Sequence, residues 1–487
     1  MRRALLGLSA AFLLLIVVLA VGPVGAQEKD KGTVLDEILD IMRRGGQITE
    51  EQQKELRERA TREEQARTLA GIDENLKPFL RSPGGDFRLE LGGFVQFDFD
   101  GVQNNARLLT GPDLIDTFLV RRARLNMTGQ LFNWIGFKIE GDYGTQQNPA
   151  FALTDGYIDL NFLPAIGLRA GQYKVPFSME ELTSDLFIDT IERSMVNELV
   201  PSRDQGVMLQ GQLFNRILGY NLGVFNGSGI NASDGNNEKD VAVRLTLAPF
   251  RNADLYFFKG LQLAIDGTFG DEDLRTSARG RTTARTTNRF QFFAPQQTNG
   301  NRYRWGAELA WLVGPASLKF EYDQQVDQRK KLGPNRTNLD DVTATGWYVT
   351  GTFLLTGESA VLNGPVIPRR PFSPLAGKLG PGAWELVLRY QELKFTSNDP
   401  VDFFDGNINN GIPSGARTAE NGAEAITAGL NWYLNPRVRA MVNWTQYWFD
   451  NSLGTPFSCQ QTVCGANTLR RNHDTSWELL SRIQLWF

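Results

Sequence analysis

The segment 174–204 combines basic and acidic side chains in a pattern that could select ions. It carries Lys174, Arg193 and Arg203 beside six Glu or Asp residues between Glu180 and Glu198, and Pro176-Phe177 turns the chain near its start. Basic side chains can replace water around an anion, and a ring of charges of one sign sets ion selectivity. The segment therefore predicts either an ion-selective constriction or a loop solvated by its own charge pairs.

Arginine also recurs on the polar faces of the strands predicted below. Guanidinium groups bind carboxylate or phosphate through paired hydrogen bonds, and several weak sites in a row keep an anion moving. The candidates for such a ladder are Arg122, Arg124, Arg169, Arg244, Arg304, Arg389, Arg437, Arg439 and Arg482. The very basic stretch 270–302 predicts a funnel, a solvated loop or a lipopolysaccharide contact; its arginines are Arg275, Arg279, Arg281, Arg285, Arg289 and Arg302.

Thiol, metal and hydrolytic chemistry have little support. Cys459 and Cys464, spaced C-x4-C, predict a disulfide in an exported protein, and no further metal ligands lie near them in the sequence. His473 is the one histidine, and no Gly-x-Ser-x-Gly elbow accompanies it as a membrane hydrolase would need. We expect no enzyme activity, no metal and no cofactor.

Composition and the first residues set the compartment. The chain has 487 residues with 51 Lys+Arg against 55 Asp+Glu, a balance that suggests no nucleic-acid partner. Residues 1–26 predict a secretory signal peptide, with Arg2 and Arg3 before an apolar core and Val24-Gly25-Ala26 as a cleavage site; an uncleaved anchor is the alternative. After residue 26 no apolar run approaches the roughly 20 residues of a spanning helix, which excludes a polytopic helical membrane protein.

Residues 27–80 predict a short helical arm. Apolar residues recur at helical spacing from Thr33, Gly45-Gly46 ends the first helix, and Thr49 with Gln52 forms a capping box for the second. The second helix has few apolar residues and many charges, so it predicts either a coiled-coil strand in an oligomer or a solvated spacer. In both cases the arm is expected in the periplasm.

From Phe87 the hydrophobic period changes to two and stays there. One face of each segment is apolar and the other often charged, which is typical of transmembrane β-barrel strands of about ten residues. The sixteen predicted strands are 87–100, 117–131, 134–143, 154–163, 165–173, 205–214, 217–226, 239–249, 260–269, 303–313, 315–326, 343–355, 383–395, 421–434, 437–449 and 474–487. We therefore expect an all-β fold, a sixteen-stranded antiparallel transmembrane barrel over residues 86–487.

The connections and the chain end favour an outer-membrane barrel over a soluble sandwich. Connections after even-numbered strands are mostly tight and those after odd-numbered strands mostly long, as for periplasmic turns and extracellular loops. Aromatic residues cluster near strand ends, and the last strand ends in Phe487 with apolar residues on one face. The connection 356–382 is too long for a turn, so it could fold into the barrel.

Several motifs resemble the phosphate-selective porin O and P family. They are Gly171-Gln172-Tyr173-Lys174-Val175-Pro176-Phe177-Ser178-x-Glu180, then Glu192-Arg193, then Pro201-Ser202-Arg203-x-x-Gly206. The resemblance covers nearly the whole chain after the signal peptide. It implies a homotrimer of barrels in the outer membrane of a Gram-negative bacterium that passes anions by diffusion. Members use an inward loop, an arginine ladder and a lysine at the constriction, and Lys174 and Arg203 occupy matching motif positions.

We therefore expect a passive channel for small anions, most of all inorganic phosphate, in contact with outer-membrane lipid and lipopolysaccharide. The acidic residues of the segment 174–204 leave a general or cation-preferring porin as an alternative. A second alternative is an envelope tether that acts through the helical arm.

Overall fold

The computed structural model describes residues 31–65, 69–73, 77–102, 116–144, 151–234, 236–272, 281–285, 291–401, 418–450 and 475–487. The chain divides into two compact units, Met1–Glu90 and Leu91–Phe487. The predicted signal peptide lies outside the described residues, as do Cys459, Cys464, His473, Arg275, Arg279 and Arg289.

The first unit contains two helices and a hairpin. The helices are α1 (Lys31–Arg44) and α2 (Glu50–Gln65), and the hairpin pairs Leu69–Ile72 with Pro78–Arg81. The predicted capping box is present, because the Thr49 N–H donates to Gln52 Oε1 at 2.9 Å and the Gln52 N–H to Thr49 Oγ1 at 3.2 Å. Among the described residues, no helix is long and apolar enough to cross a membrane.

Sixteen antiparallel strands of the described residues form a closed barrel. They are β1 (Phe87–Val102), β2 (Thr117–Leu131), β3 (Ile135–Asp142), β4 (Ala152–Leu163), β5 (Ile166–Lys174), β6 (Arg203–Leu213), β7 (Leu218–Phe225), β8 (Asp240–Leu247), β9 (Gly260–Glu272), β10 (Gly300–Val313), β11 (Ala316–Arg329), β12 (Leu339–Leu354), β13 (Ala383–Val401), β14 (Thr418–Asn435), β15 (Val438–Phe449) and β16 (Thr475–Trp486). Pairing of β16 with β1, from Glu478 opposite Val102 to Trp486 opposite Phe94, closes the ring. The predicted strand number is therefore confirmed.

Side chains alternate between an apolar outer face and a polar inner face. On β16, Ile483 and Leu485 are half-exposed at 51% and 48%, whereas Arg482 and Gln484 are buried at 3% and 1%. A soluble sandwich would show the opposite arrangement, with its apolar face buried. The exposed apolar belt and the polar interior are those of a barrel that faces lipid outside and water inside.

The connections follow the predicted alternation of short and long. The turn at Phe132-Asn133 is tight, with φ of 50° and 62°, the left-handed conformation of a two-residue hairpin turn. Toward the long connections several strands run further than predicted, as β13 does by ending at Val401. Shorter pieces complete the fold: strand pairs Arg281–Arg285 with Gln291–Gln297 and Phe372–Ser373 with Lys378–Leu379, and 3-10 helices at Met195–Leu199, Pro334–Arg336 and Pro374–Ala376.

Candidate functional site

The connection between β5 and β6, residues 175–202, lies inside the barrel, and we call it the inward loop. Its backbone bonds to inward side chains on well-separated strands: to Gln96 on β1 through the Asp185 carbonyl at 3.0 Å, to Asp266 on β9 through the Ser178 N–H at 3.1 Å, and to Asn443 on β15. A segment that reaches such distant parts of the wall must cross the lumen. It contains a short helix, α3 (Met179–Leu182).

Five acidic side chains of the inward loop form ion pairs. Asp185 lies 2.7 Å from Arg124, 2.5 Å from Arg193 and 3.4 Å from Arg122. Glu192 binds Arg121 at 2.9 Å, Arg482 at 2.7 Å and Arg122 at 3.5 Å. The remaining pairs are Glu180 with Arg389 at 2.5 Å, Asp189 with Lys319 at 2.8 Å and Glu181 with Arg193 at 3.3 Å.

These pairs keep Asp185 and Glu192 ionised. Burial alone would raise the pKa of the Asp185 carboxyl, but Arg122, Arg193 and Arg124 hold that pKa well below its ordinary value of 3.8. The pKa of Glu192 is likewise raised by burial yet held well below 4.5 by its arginine partners. Asp185 and Glu192 are thus ion-paired with arginines. They do not form the ring of unpaired carboxylates on which a cation preference would depend.

Most of the predicted ladder arginines anchor the inward loop. Arg122 and Arg389 bind its carboxylates, and Arg193 folds back onto the loop's own Glu180 and Thr183 carbonyls at 3.0 and 2.9 Å. Arg439 donates to the carbonyls of Ile188 and Asp189 at 3.0 and 3.1 Å, and Arg482 pairs with Asp98 at 2.7 Å besides Glu192. In these contacts the guanidinium groups donate hydrogen bonds to the inward loop and hold it in place.

Three further arginines lie elsewhere on the barrel. Arg304 on β10 donates to Gln325 at 2.8 Å, and Arg302, placed in the basic stretch by sequence, is buried on β10 with Glu272 at 2.5 Å. Arg437 lies in the turn between β14 and β15.

A cavity of about 270 Å³ remains open between the inward loop and the wall from β2 to β7. Lys174 and Arg203 both line it, because they are register partners across β5 and β6. Five basic side chains line this cavity against three carboxylates; they are Arg124, Lys138, Arg169, Lys174 and Arg203, with Glu140, Asp155 and Asp185. Unlike the loop, this lining has an excess of positive charge.

The ion pairs around the cavity differ in strength. Arg169 forms a bidentate pair with Asp159 at 2.7 and 2.8 Å, and its guanidinium lies 3.9 Å from the Tyr157 ring centroid. Arg203 bonds to Asp155 at 2.7 Å. Lys174 Nζ instead donates to the carbonyls of Glu181 and Thr183, and its carboxylate contact, with Glu181, is at 3.9 Å. Lys174 is therefore the least neutralised of these three cations.

A second cavity of about 650 Å³ continues from the first, with Gln210 and Asn221 in the lining of both. It carries Arg216, Arg244 and Arg251, and none of its described lining residues is acidic. Sequence reasoning selected Arg244 but missed Arg216 and Arg251, which follow strands in short connections, and Lys138 in the first cavity. The sequence could have indicated these three residues, because each is a basic residue either in a short connection between strands or on the polar face of a strand.

The connection between β12 and β13 also reaches the lumen, as the sequence suggested. Asn363, at φ 51°, accepts the Ser184 N–H at 3.0 Å and lines the first cavity. Val366 is 5% exposed and packs with Tyr433. The cationic part of this connection is different, because Arg369, Arg370 and Lys378 are exposed. The stretch around Val366 therefore enters the lumen, whereas the basic stretch that begins at Arg369 does not.

One protein family and several known proteins resemble this chain. The family model described as phosphate-selective porin O and P matches residues 89–447. Porin O of Pseudomonas aeruginosa is 24% identical over 73% of this chain and 81% of its own. Among solved structures, OmpT of Vibrio cholerae is 7% identical, with a TM-score of 0.49 and coverage of 82% of this chain and 98% of its own. The outer membrane channel DcaP of Acinetobacter baumannii is 11% identical, with a TM-score of 0.47 and coverage of 84% and 99%.

Proposed function

The chain belongs to the phosphate-selective porin O and P family, and from that membership we propose that its channel passes small anions, inorganic phosphate foremost. The family makes the protein a passive outer-membrane porin and not an enzyme. The choice of solute is the proposal, and it depends on the charges along the open path.

The observation that carries it is the excess of basic side chains along the two joined cavities. Eight basic side chains line them, five in the first and three in the second, against three carboxylates, all in the first. An excess of fixed positive charge concentrates anions and repels cations in a narrow, partly desolvated path. Of the inward-loop acids, Asp185 lines this path and is already one of the three carboxylates counted; the other loop acids are not among the described lining residues.

Lys174 and Arg203 are the proposed phosphate contacts. They face the same cavity from adjacent strands, and a phosphate could accept hydrogen bonds from both. The Lys174 Nζ donates to neutral carbonyls and lies 3.9 Å from Glu181, so no close carboxylate competes with a passing anion for it. Arg203 shares its guanidinium with Asp155, which weakens the site enough for the ion to leave again.

The test is the reversal potential of the purified protein in a planar bilayer under a KCl gradient, followed by phosphate titration. We expect anion preference and block of the chloride current by phosphate. Lys174→Gln and Arg203→Gln should each weaken the block by about 10- to 150-fold, since a charge-assisted hydrogen bond contributes about 1.5–3 kcal/mol. Lys394→Ala is the matched control, because Lys394 lies on the outer face of β13 beside Glu392. Cation preference without block would refute the proposal and leave a general porin.

We further propose that the arm of residues 27–80 lies in the periplasm and that the barrel assembles as a homotrimer in contact with lipopolysaccharide. Support for the arm comes from topology: β1 begins and β16 ends at the rim of the short connections, which is the periplasmic rim of such barrels. Deleting residues 27–80 tests the tether alternative. Unchanged envelope integrity and oligomeric state would remove it.

A further inference from the structure

Four acidic side chains lie side by side behind the start of the inward loop. Asp266 on β9, Glu308 on β10, and Glu321 and Asp323 on β11 form what we call the carboxyl quartet. The strand register brings them together, because Glu308 is opposite Glu321 and Gly306 is opposite both Asp266 and Asp323. All four are buried, with at most 7% of any residue exposed.

Two of these carboxyl groups converge on the space above Gly306. A β-carbon at this position would collide with one oxygen of Asp266 and one of Asp323, so the glycine leaves room for both. Asp266 Oδ1 and both oxygens of Asp323 have no hydrogen-bond donor in the described part of the chain. An ionised carboxylate in such a place is strongly disfavoured, since burial removes its water and nothing replaces it.

The groups that face the quartet do not balance its charge. Arg244 on β8 donates to Glu308 at 3.1 Å and lies 3.7 Å from Asp266. Tyr348 on β12 donates to Glu321 at 3.0 Å, and Lys319, further along β11, is bound to Asp189. From the inward loop, Glu180 adds a fifth carboxylate, which pairs with Arg389 of β13. Two guanidinium groups therefore face five carboxyl groups.

The quartet also holds the beginning of the inward loop through hydrogen bonds. The Ser178 N–H donates to Asp266 at 3.1 Å and the Glu180 N–H to Glu321 at 3.2 Å. Ser178 has φ 64° and ψ 125°, a conformation that non-glycine residues rarely adopt and that persists only where surrounding contacts impose it. The start of the loop thus depends on the state of these carboxyl groups.

We propose that the carboxyl quartet holds shared protons at neutral pH and acts as a pH-sensitive seat for the inward loop. A proton held between two carboxyl groups lets one donate to the other, which satisfies the oxygens above Gly306. When alkaline solution takes these protons to form water, the buried like charges repel one another and Glu180. Ser178 then relaxes, the start of the loop shifts, and the channel current changes.

The test is single-channel recording of the full-length protein from about pH 6 to about pH 10, the range in which buried carboxyl groups release protons. We expect a reversible change in open-channel current and noise at alkaline pH. Asp323→Asn and Asp266→Asn should each abolish it, whereas Asp254→Asn, in the exposed turn before β9, should retain it. Lysine side chains also lose protons at alkaline pH in every variant. Only the part of the current change that disappears in the quartet variants therefore tests the proposal.

A second measurement does not depend on whether the variants fold. Infrared spectra of the wild-type protein should contain a band of protonated carboxyl groups at neutral pH that disappears reversibly at alkaline pH. Absence of this band, or an alkaline transition retained in Asp323→Asn, would overturn the proposal. So would a transition that appears only when calcium is chelated, because the quartet would then hold a metal ion. The reversal potential at neutral pH reports ion selectivity separately, so failure here leaves the proposed function untouched.

Discussion

Asp185→Asn offers the most direct test of how the inward loop and the open path share charge. The Asp185 side chain lines the first cavity, yet it is bonded to Arg124, Arg193 and Arg122. The substitution keeps the size and one hydrogen-bond acceptor but removes one negative charge. The cavity would then have five basic side chains against two carboxylates instead of three. Arg124 would keep two carboxylate partners, Asp142 at 2.9 Å and Glu140 at 3.5 Å, and so should stay in place.

The size of the effect follows from the Coulomb energy. Two unit charges about 4 Å apart interact by about 1 kcal/mol in bulk water, and this value is the minimum for a partly desolvated path. Since about 1.4 kcal/mol changes a ratio tenfold, anion permeability should rise about fivefold and cation permeability should fall about fivefold, so their ratio should rise about 25-fold. The inward loop should stay in place, because Arg389 with Glu180 and Arg482 with Glu192 still anchor it.

The assay is the reversal potential under a KCl gradient at neutral pH, with single-channel conductance recorded in parallel. Glu392→Gln is the matched control, since Glu392 lies on the outer face of β13 and should leave the ratio unchanged. An unchanged or lower anion preference in Asp185→Asn would refute the assignment of this carboxylate to the path. A several-fold larger conductance would instead mean that the loop had left the lumen.

Three further outcomes are expected. Glu192→Ala removes the carboxylate to which Arg121 bonds twice, at 2.9 and 3.0 Å, and breaking such a buried pair should cost about 3–5 kcal/mol. The temperature at which the barrel unfolds in heat-modified electrophoresis should fall, and unchanged migration would contradict it. Because the pKa values of Asp185 and Glu192 are depressed, their stabilisation is complete above their ordinary pKa and is lost only as pH falls through the lower folded values. Conductance should therefore stay constant from neutral pH to about pH 5, and an earlier change would count against the pairing. Gly171→Ala should reduce the yield of refolded barrel, since Gly171 has φ 134° and a β-carbon would collide with the Gly156 carbonyl; normal yield would refute this.

The strands could be predicted because the two solvents of the barrel impose a strict pattern. Lipid outside and water inside require apolar and polar residues to alternate, so a shift by one residue would reverse every side chain. For β2 the predicted bounds 117–131 are those observed. The period says less about strand ends in the long connections, where neither face meets lipid, and β13 accordingly runs six residues beyond its predicted end.

Part of the candidate site could also be predicted. Lys174 and Arg203 were selected from their motif positions, and the structure brings both to one cavity as register partners. Arg122 and Arg389 were selected for the same polar-face position, but the structure uses them to hold the inward loop. Strand periodicity tells which way a side chain points, not which partner it meets across the lumen.

The sequence by itself determined the barrel, its strand number and the face on which each charge lies, because these follow from local alternation and the lengths of connections. Only the tertiary structure decided which charges remain available. The inward loop packs against strands far from it in sequence, and there its carboxylates form ion pairs with wall arginines such as Arg482. Charge balance in a pore is a sum over such non-local pairs, so the excess of basic side chains on the open path emerges only when the barrel closes around the loop.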